Sequence, residues 1–254
     1  MKYNYSESLN LYNDSEPIGY GIRGKNNMTC LINVKNDKYA CLAADTWNTN
    51  PNNHYIQKIV CDQEKQIMIG SAGQNSAKYQ NGLELKVLDF MNSFVKFYDG
   101  NNYAIAKKIL IMTTEKFLME MNLPESKKNI CVQYIINYIK DNRIYQDLIE
   151  IIKMRVPITN LDKYMNQNIV QFNNESIIVS DIINFDNKDI WAFGVNNNPI
   201  ITAGTFINTF TLTQNEILQY AKNTVQQQMD LQKHLSDSDK TVGGNIEYYC
   251  LSVE

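Results

Sequence analysis

The 254-residue chain has only two histidines, five prolines and five cysteines, and no apolar run comes near the ~20 residues a membrane-spanning helix needs. With only His54 and His234, both in polar, loop-like surroundings, the sequence argues against a Ser/His/Asp triad or a multi-histidine metal centre. It contains no C-x-x-C pair and no G-x-x-x-x-G-K-[ST] phosphate loop. No metal and no cofactor is therefore expected, and any ATPase would be a separate partner. Neither sign of charge predominates: 24 basic and 27 acidic residues are interspersed for a net charge of −3. That balance argues against nucleic acid or an anionic membrane surface as a partner. The N-terminus lacks a hydrophobic signal core. Cys30, Cys41, Cys61, Cys131 and Cys250 are scattered through strand or helix patterns, and they read as reduced core residues of a cytoplasmic protein.

What is present is enough apolar residue, 44%, for one large domain with a proper core. The informative stretch is TCLINVKNDKYACLAAD, Thr29 to Asp45. Two short apolar runs flank Asn36-Asp37-Lys38, three residues of turn chemistry, and predict a β-hairpin. A three-residue loop pairs Lys35 with Tyr39 and so sets Thr29 opposite Asp45, bringing a hydroxyl and a carboxylate to one open end of a sheet. Residues 55–60 and 66–72 read as a second hairpin around a polar loop. Lys58 alternates in step with Ile56 and Val60 on its inward face. A buried ammonium needs a counter-charge, and Asp45 is the nearest sensible one. The second hairpin ends in Gly70-Ser71-Ala72-Gly73, where a glycine permits close approach and can leave an N–H free to donate.

These segments, Thr29-Cys30-Leu31-Ile32-Asn33-Val34, Ala43-Ala44-Asp45, Gln57-Lys58-Ile59 and Gly70-Ser71-Ala72-Gly73, resemble in order and spacing the N-terminal threonine peptidases. That family includes proteasome β subunits, the peptidase subunit of the bacterial two-component protease, and related bacterial proteasome homologues. Asp239-Lys240-Thr241-Val242-Gly243-Gly244-Asn245-Ile246-Glu247 is similar to the family's closing Asp-x-x-Ser-Gly-Gly segment and last strand, and Ala203-Gly204-Thr205 resembles its Gly-Ser-Gly segment. The resemblance implies an α+β fold, a four-layer αββα sandwich with two antiparallel sheets between helix layers. It further implies a threonine peptidase acting on peptide or protein substrates inside a homo-oligomeric ring, with a possible ATPase or regulator.

Carried over residue by residue, the resemblance makes Thr29 the nucleophile and its own α-amine the base, because a free α-amine titrates near about 7.7–8.0. Lys58 would tune the nucleophile, Asp45 would orient Lys58, and the Gly73 N–H would hold the oxyanion. Asp239 and Thr205 would position the nucleophile and its amine. An amide nitrogen is no base, so residues 1–28 are expected to be a leader that is removed to free Thr29. This chain has Asn26-Asn27-Met28 where self-processing members carry glycine before the threonine, and Val242 where the family often has serine. Two other readings keep the same fold: a catalytically silent structural subunit that retains its leader, and an N-terminal nucleophile amidohydrolase for a non-protein amide.

Within residues 1–27, Gly19-Tyr20-Gly21-Ile22-Arg23-Gly24 satisfies G-x-G-x-x-G, but no strand precedes it and no helix follows, so no dinucleotide site is expected. Residues 74–98 and 102–122 repeat apolar residues at helical spacing and predict two core-facing helices. Residues 130–152 also read as helical, and about 126–174 reads as a helical insertion in the single domain spanning 29–254. Strands are expected at 176–183, 190–195, 199–203 and 245–252, with Thr213-Gln214-Asn215-Glu216 as a capping box opening the last helix.

Overall fold

The computed structural model describes residues 29–47, 55–78, 84–123, 129–154, 168–172, 175–183, 189–193, 208–237 and 240–253. In chain order these form β1 (Leu31–Lys35), β2 (Tyr39–Asp45), β3 (Ile59–Asp62), β4 (Ile67–Gly73), β5 (Ser76–Lys78) and β6 (Glu84–Lys86). Helices α1 (Val87–Phe97) and α2 (Tyr103–Glu120) follow, then β7 (Asn129–Lys140), β8 (Arg143–Met154), β9 (Asn168–Phe172), β10 (Glu175–Ile183) and β11 (Ile190–Phe193). Helix α3 (Gln214–Gln232) and β12 (Ile246–Ser252) close the chain. One sheet has the order β11-β1-β2-β12 and a second the order β3-β4-β7-β8-β10-β9, while β5 and β6 pair as a small ribbon. Adjacent strands in both sheets run antiparallel.

Three apolar layers hold the stack together. Met91, Phe94, Leu110 and Phe117 from α1 and α2 pack on Ile69, Val132, Ile136 and Ile149 of the six-stranded sheet. The opposite face of that sheet, with Met68, Ile135 and Leu148, meets Leu31, Leu42 and Ala44 of the four-stranded sheet. The outer face of the latter, Ile32, Val34 and Ala43, is covered by Ile217, Ala221 and Val225 of α3. Helices, sheet, sheet, helix: this is the four-layer αββα sandwich of the N-terminal nucleophile hydrolase fold that the resemblance implies. Burial on both faces explains why β1 and β2 read as continuous apolar runs and not as alternating ones.

The stretch expected as a helical insertion is β-structure. Residues 130–152 lie in β7 and β8, joined by Asp141-Asn142 at φ +50° and +57°. Two residues of positive φ make the hairpin turn whose twist matches antiparallel strands, and they close the Lys140–Arg143 pair. Both strands are sandwiched between helices and the other sheet, so apolar residues occupy successive positions and the period of two is lost. The pair is also no appendage, because β7 joins β4 and β8 joins β10 in the middle of the larger sheet. The helix expected over 74–98 is likewise shorter, since β5 and β6 take its first part and α1 begins at Val87. The strand expected at 199–203 lies outside the described residues.

The cysteines also depart from expectation. The register of β12 against β2 sets Cys250 directly opposite Cys41, and the two form a disulfide with Cα atoms 4.1 Å apart. A separation of 209 positions gave no local sign of this pairing, which only the return of the last strand beside β2 creates. Among the described residues, Cys30, Cys61 and Cys131 are not in a disulfide.

Candidate active site

The site begins with the first hairpin, whose register differs by one residue from a three-residue loop. Asn36 folds over the turn, its Oδ1 accepting from the Lys38 and Tyr39 N–H groups at 2.9 Å each, and its N–H donates to Tyr39 O at 2.9 Å. Lys35 therefore pairs with Ala40. Cys30, and not Thr29, then meets Asp45, whose N–H donates to Cys30 O at 3.1 Å.

Asp45 is the organising acceptor. Its carboxylate is fully buried, and four donors converge on it. Oδ1 accepts from the Cys30 N–H at 2.8 Å and from Lys58 Nζ at 3.0 Å. Oδ2 accepts from the Trp47 and Gly243 N–H groups, each at 3.1 Å. Lys58 is 1% exposed, and this ion pair is dry on both sides. Because one oxygen takes both donors, Lys58 Nζ lies within about two hydrogen-bond lengths of the peptide that follows Thr29. Burial pushes the Asp45 carboxyl above its usual range, against the pull of Lys58 and the Gly243 and Cys30 N–H groups. Burial also pushes the Lys58 ammonium below its usual range, opposed first by Asp45.

Thr29 is 1% exposed, and among the described residues its Oγ1 makes no hydrogen bond. No hydrogen bond therefore joins Thr29 Oγ1 to Lys58 Nζ in this structure. Cys30 points the other way, into the layer under α3, where burial and the charge of Asp45 hold its thiol well above the usual range.

Gly73 ends β4 at φ +92°, and a Cβ there would lie 2.3 Å from Cys131 O, so only glycine fits. The Ser71 N–H donates to Lys58 O at 3.0 Å. By ladder alternation the Gly73 N–H faces the same edge, where β3 has not yet begun. That amide is thus directed to the side from which Lys58 enters. Thr205 and Asp239 lie outside the described residues.

Two contributors escaped the sequence reading. The Gly243 N–H, in the segment matched only as a family signature, is a ligand of Asp45. Glu247 of β12 accepts the N–H groups of Lys58 and Ile59 on a single oxygen, Oε2, at 2.8 and 3.2 Å. The one available sign was a carboxylate at an inward position of a strand, in step with Tyr249 and Leu251.

No family model matches the chain, and no curated protein matches it. Among solved structures it is similar to eukaryotic HslV from Trypanosoma brucei, with 11% identity and a TM-score of 0.44 over 88% of this chain and 99% of that one. It is also similar to Thiobacillus denitrificans BPH in complex with epoxomicin, with 12% identity and a TM-score of 0.42 over 89% of this chain and 99% of that one. A likeness of that degree carries nothing about chemistry. Among the described residues, no helix is long and apolar enough to cross a membrane.

Proposed function

We propose that the chain is a threonine-type peptidase in which Thr29, freed by removal of residues 1–28, is the N-terminal nucleophile. The observation that carries this reading is the buried Lys58–Asp45 pair, whose shared oxygen also takes the N–H immediately after Thr29. In the proposed reaction Thr29 Oγ attacks a peptide carbonyl while its proton passes to the Thr29 α-amine, with Lys58 favouring the charged nucleophile. The Gly73 N–H receives the oxyanion, an interaction whose loss elsewhere costs roughly 3–4 kcal/mol. Collapse of that intermediate breaks the C–N bond, and the leaving amine takes the proton. Water then attacks the Thr29 ester to release the acid and restore the hydroxyl. Thr205 and Asp239 are proposed to steady the nucleophile and its amine. The proposed setting is a ring of like subunits, with a separate ATPase or regulator admitting peptide or protein substrates.

A second reading keeps the same fold and the same buried Thr29: a subunit whose leader stays in place. Such a subunit would be structural. Intact mass and N-terminal sequencing of the purified protein separate the two. A mature chain that starts at Thr29 supports the peptidase, and a chain that still carries residues 1–28 supports the structural subunit.

A further inference from the structure

The segment that delivers Lys58 changes partners as it does so. The Ile56 N–H donates to Thr46 O at 2.9 Å, beside the isolated Trp47–Tyr55 bridge, so the chain here runs along the extension of β2 beyond Asp45. Two residues later Lys58 O accepts from Ser71 N–H, and from Ile59 the chain is β3, the edge strand of the six-stranded sheet. Successive amides of a regular strand point to opposite sides, so neither partner can satisfy both N–H groups at such a crossing. Glu247 does so. It stands on β12, the facing edge strand of the other sheet, and its Oε2 takes the N–H groups of both Lys58 and Ile59. One carboxylate oxygen thus takes two consecutive amides and ties down the backbone at Lys58. That tie in turn aims the lysine side chain at Asp45.

We propose that Glu247 is a positioning residue for Lys58, clamping the chain ahead of β3 through the Lys58 and Ile59 amides and adding a second carboxylate to the lysine's surroundings. The significance for turnover rests on Lys58 acting as proposed above, whereas the clamp itself does not. The titratable groups facing Lys58 are Asp45 from β2, Cys30 ahead of β1 and Glu247 from β12. Asp45 and Glu247 are the two carboxylates of that set, and burial pushes both above the usual carboxylate range, opposed by Lys58 and the backbone N–H groups they accept. Loss of the Glu247 carboxylate removes a group that favours the ammonium, and Lys58 then titrates at lower pH.

The test compares E247Q, which keeps an acceptor oxygen and loses the charge, with E247A, which loses both, in the full chain. Two readouts need no turnover: hydrogen exchange at the Lys58 and Ile59 amides, and titration of Lys58 Nζ followed by nuclear magnetic resonance on isotope-labelled lysine. E247A is expected to speed exchange at those two amides about 10-fold or more, the scale of losing a hydrogen bond to a charged acceptor, while E247Q restores most of the protection. Both variants are expected to lower the Lys58 titration midpoint. In a protein that hydrolyses peptides, kcat falls with KM little changed, and its pH profile moves with Lys58. A carboxylate that only held the sandwich edge together would lower the melting temperature and leave the Lys58 midpoint in place, and that result overturns the proposal. An inactive wild type in which exchange and titration still shift as described supports the clamp and defeats only the peptidase reading.

Discussion

The Gly243 N–H donates to Asp45 Oδ2 at 3.1 Å across 198 positions of sequence. This bond ties the loop between α3 and β12 to the first hairpin, and together with the Cys30, Trp47 and Lys58 donors it fills both carboxylate oxygens. Asp45 is thus a structural hub as much as a counter-ion. D45N leaves a buried ammonium and turns an amide NH₂ toward backbone donors, and it is expected to cost about 3–5 kcal/mol. K58M leaves Asp45 with three N–H donors still in place and is expected to cost less. Denaturant unfolding of both and of D45N/K58M checks this. The double variant should cost less than the two singles combined by about 1 kcal/mol or more, and strict additivity would contradict the pairing.

Gly73 offers a second test that is independent of activity. G73A forces an L side chain to φ +92° and places its Cβ 2.3 Å from a backbone oxygen that cannot swing aside. The expected loss is above about 2 kcal/mol. Gly100 is the control: it has φ +90° but no heavy atom within 4 Å of a built Cβ, so G100A should cost only the strained φ, about 1 kcal/mol. Equal losses in chemical denaturation would show that the contact with Cys131 is not tight.

Helix α3, which covers the outer face of the site-bearing sheet, carries its own acid sensitivity. The Thr213 N–H and Oγ1 both donate to Glu216 Oε2 at 2.8 Å, and these bonds, the backbone one first, hold Glu216 below the usual carboxylate range. A carboxylate lowered by folding adds stability that is fully present above its unfolded value, near 4.5, and fades as pH falls through its lower folded value. E216Q removes that contribution. Its melting temperature should lie below wild type at neutral pH and converge on it in acid, and a constant offset across that range would count against the capping box.

Much of the layer plan was legible because it rests on local signals. The apolar runs Cys30–Val34 and Tyr39–Ala44 on each side of turn residues marked β1 and β2, and Thr213 with Glu216 marked the start of α3. Lys58 and Asp45 were readable as a pair because an inward lysine must find a carboxylate. The misreadings have distinct physical causes. Where a segment is buried on both faces, as β7 and β8 are, periodicity vanishes and helix and strand look alike. The hairpin register slipped because the Asn36 side chain, and not loop length alone, shapes the turn. The contacts of Gly243 and Glu247 and the Cys41–Cys250 disulfide depend on β12 returning beside β2, a long-range pairing that local pattern does not specify.

Hydrolysis of a fluorogenic peptide panel by the mature wild-type protein, T29S and T29A tests the central claim most directly. The account predicts turnover by wild type, reduced but measurable turnover by T29S, which keeps a hydroxyl beside the α-amine, and none by T29A with its assembly intact. Undiminished hydrolysis by T29A would contradict it.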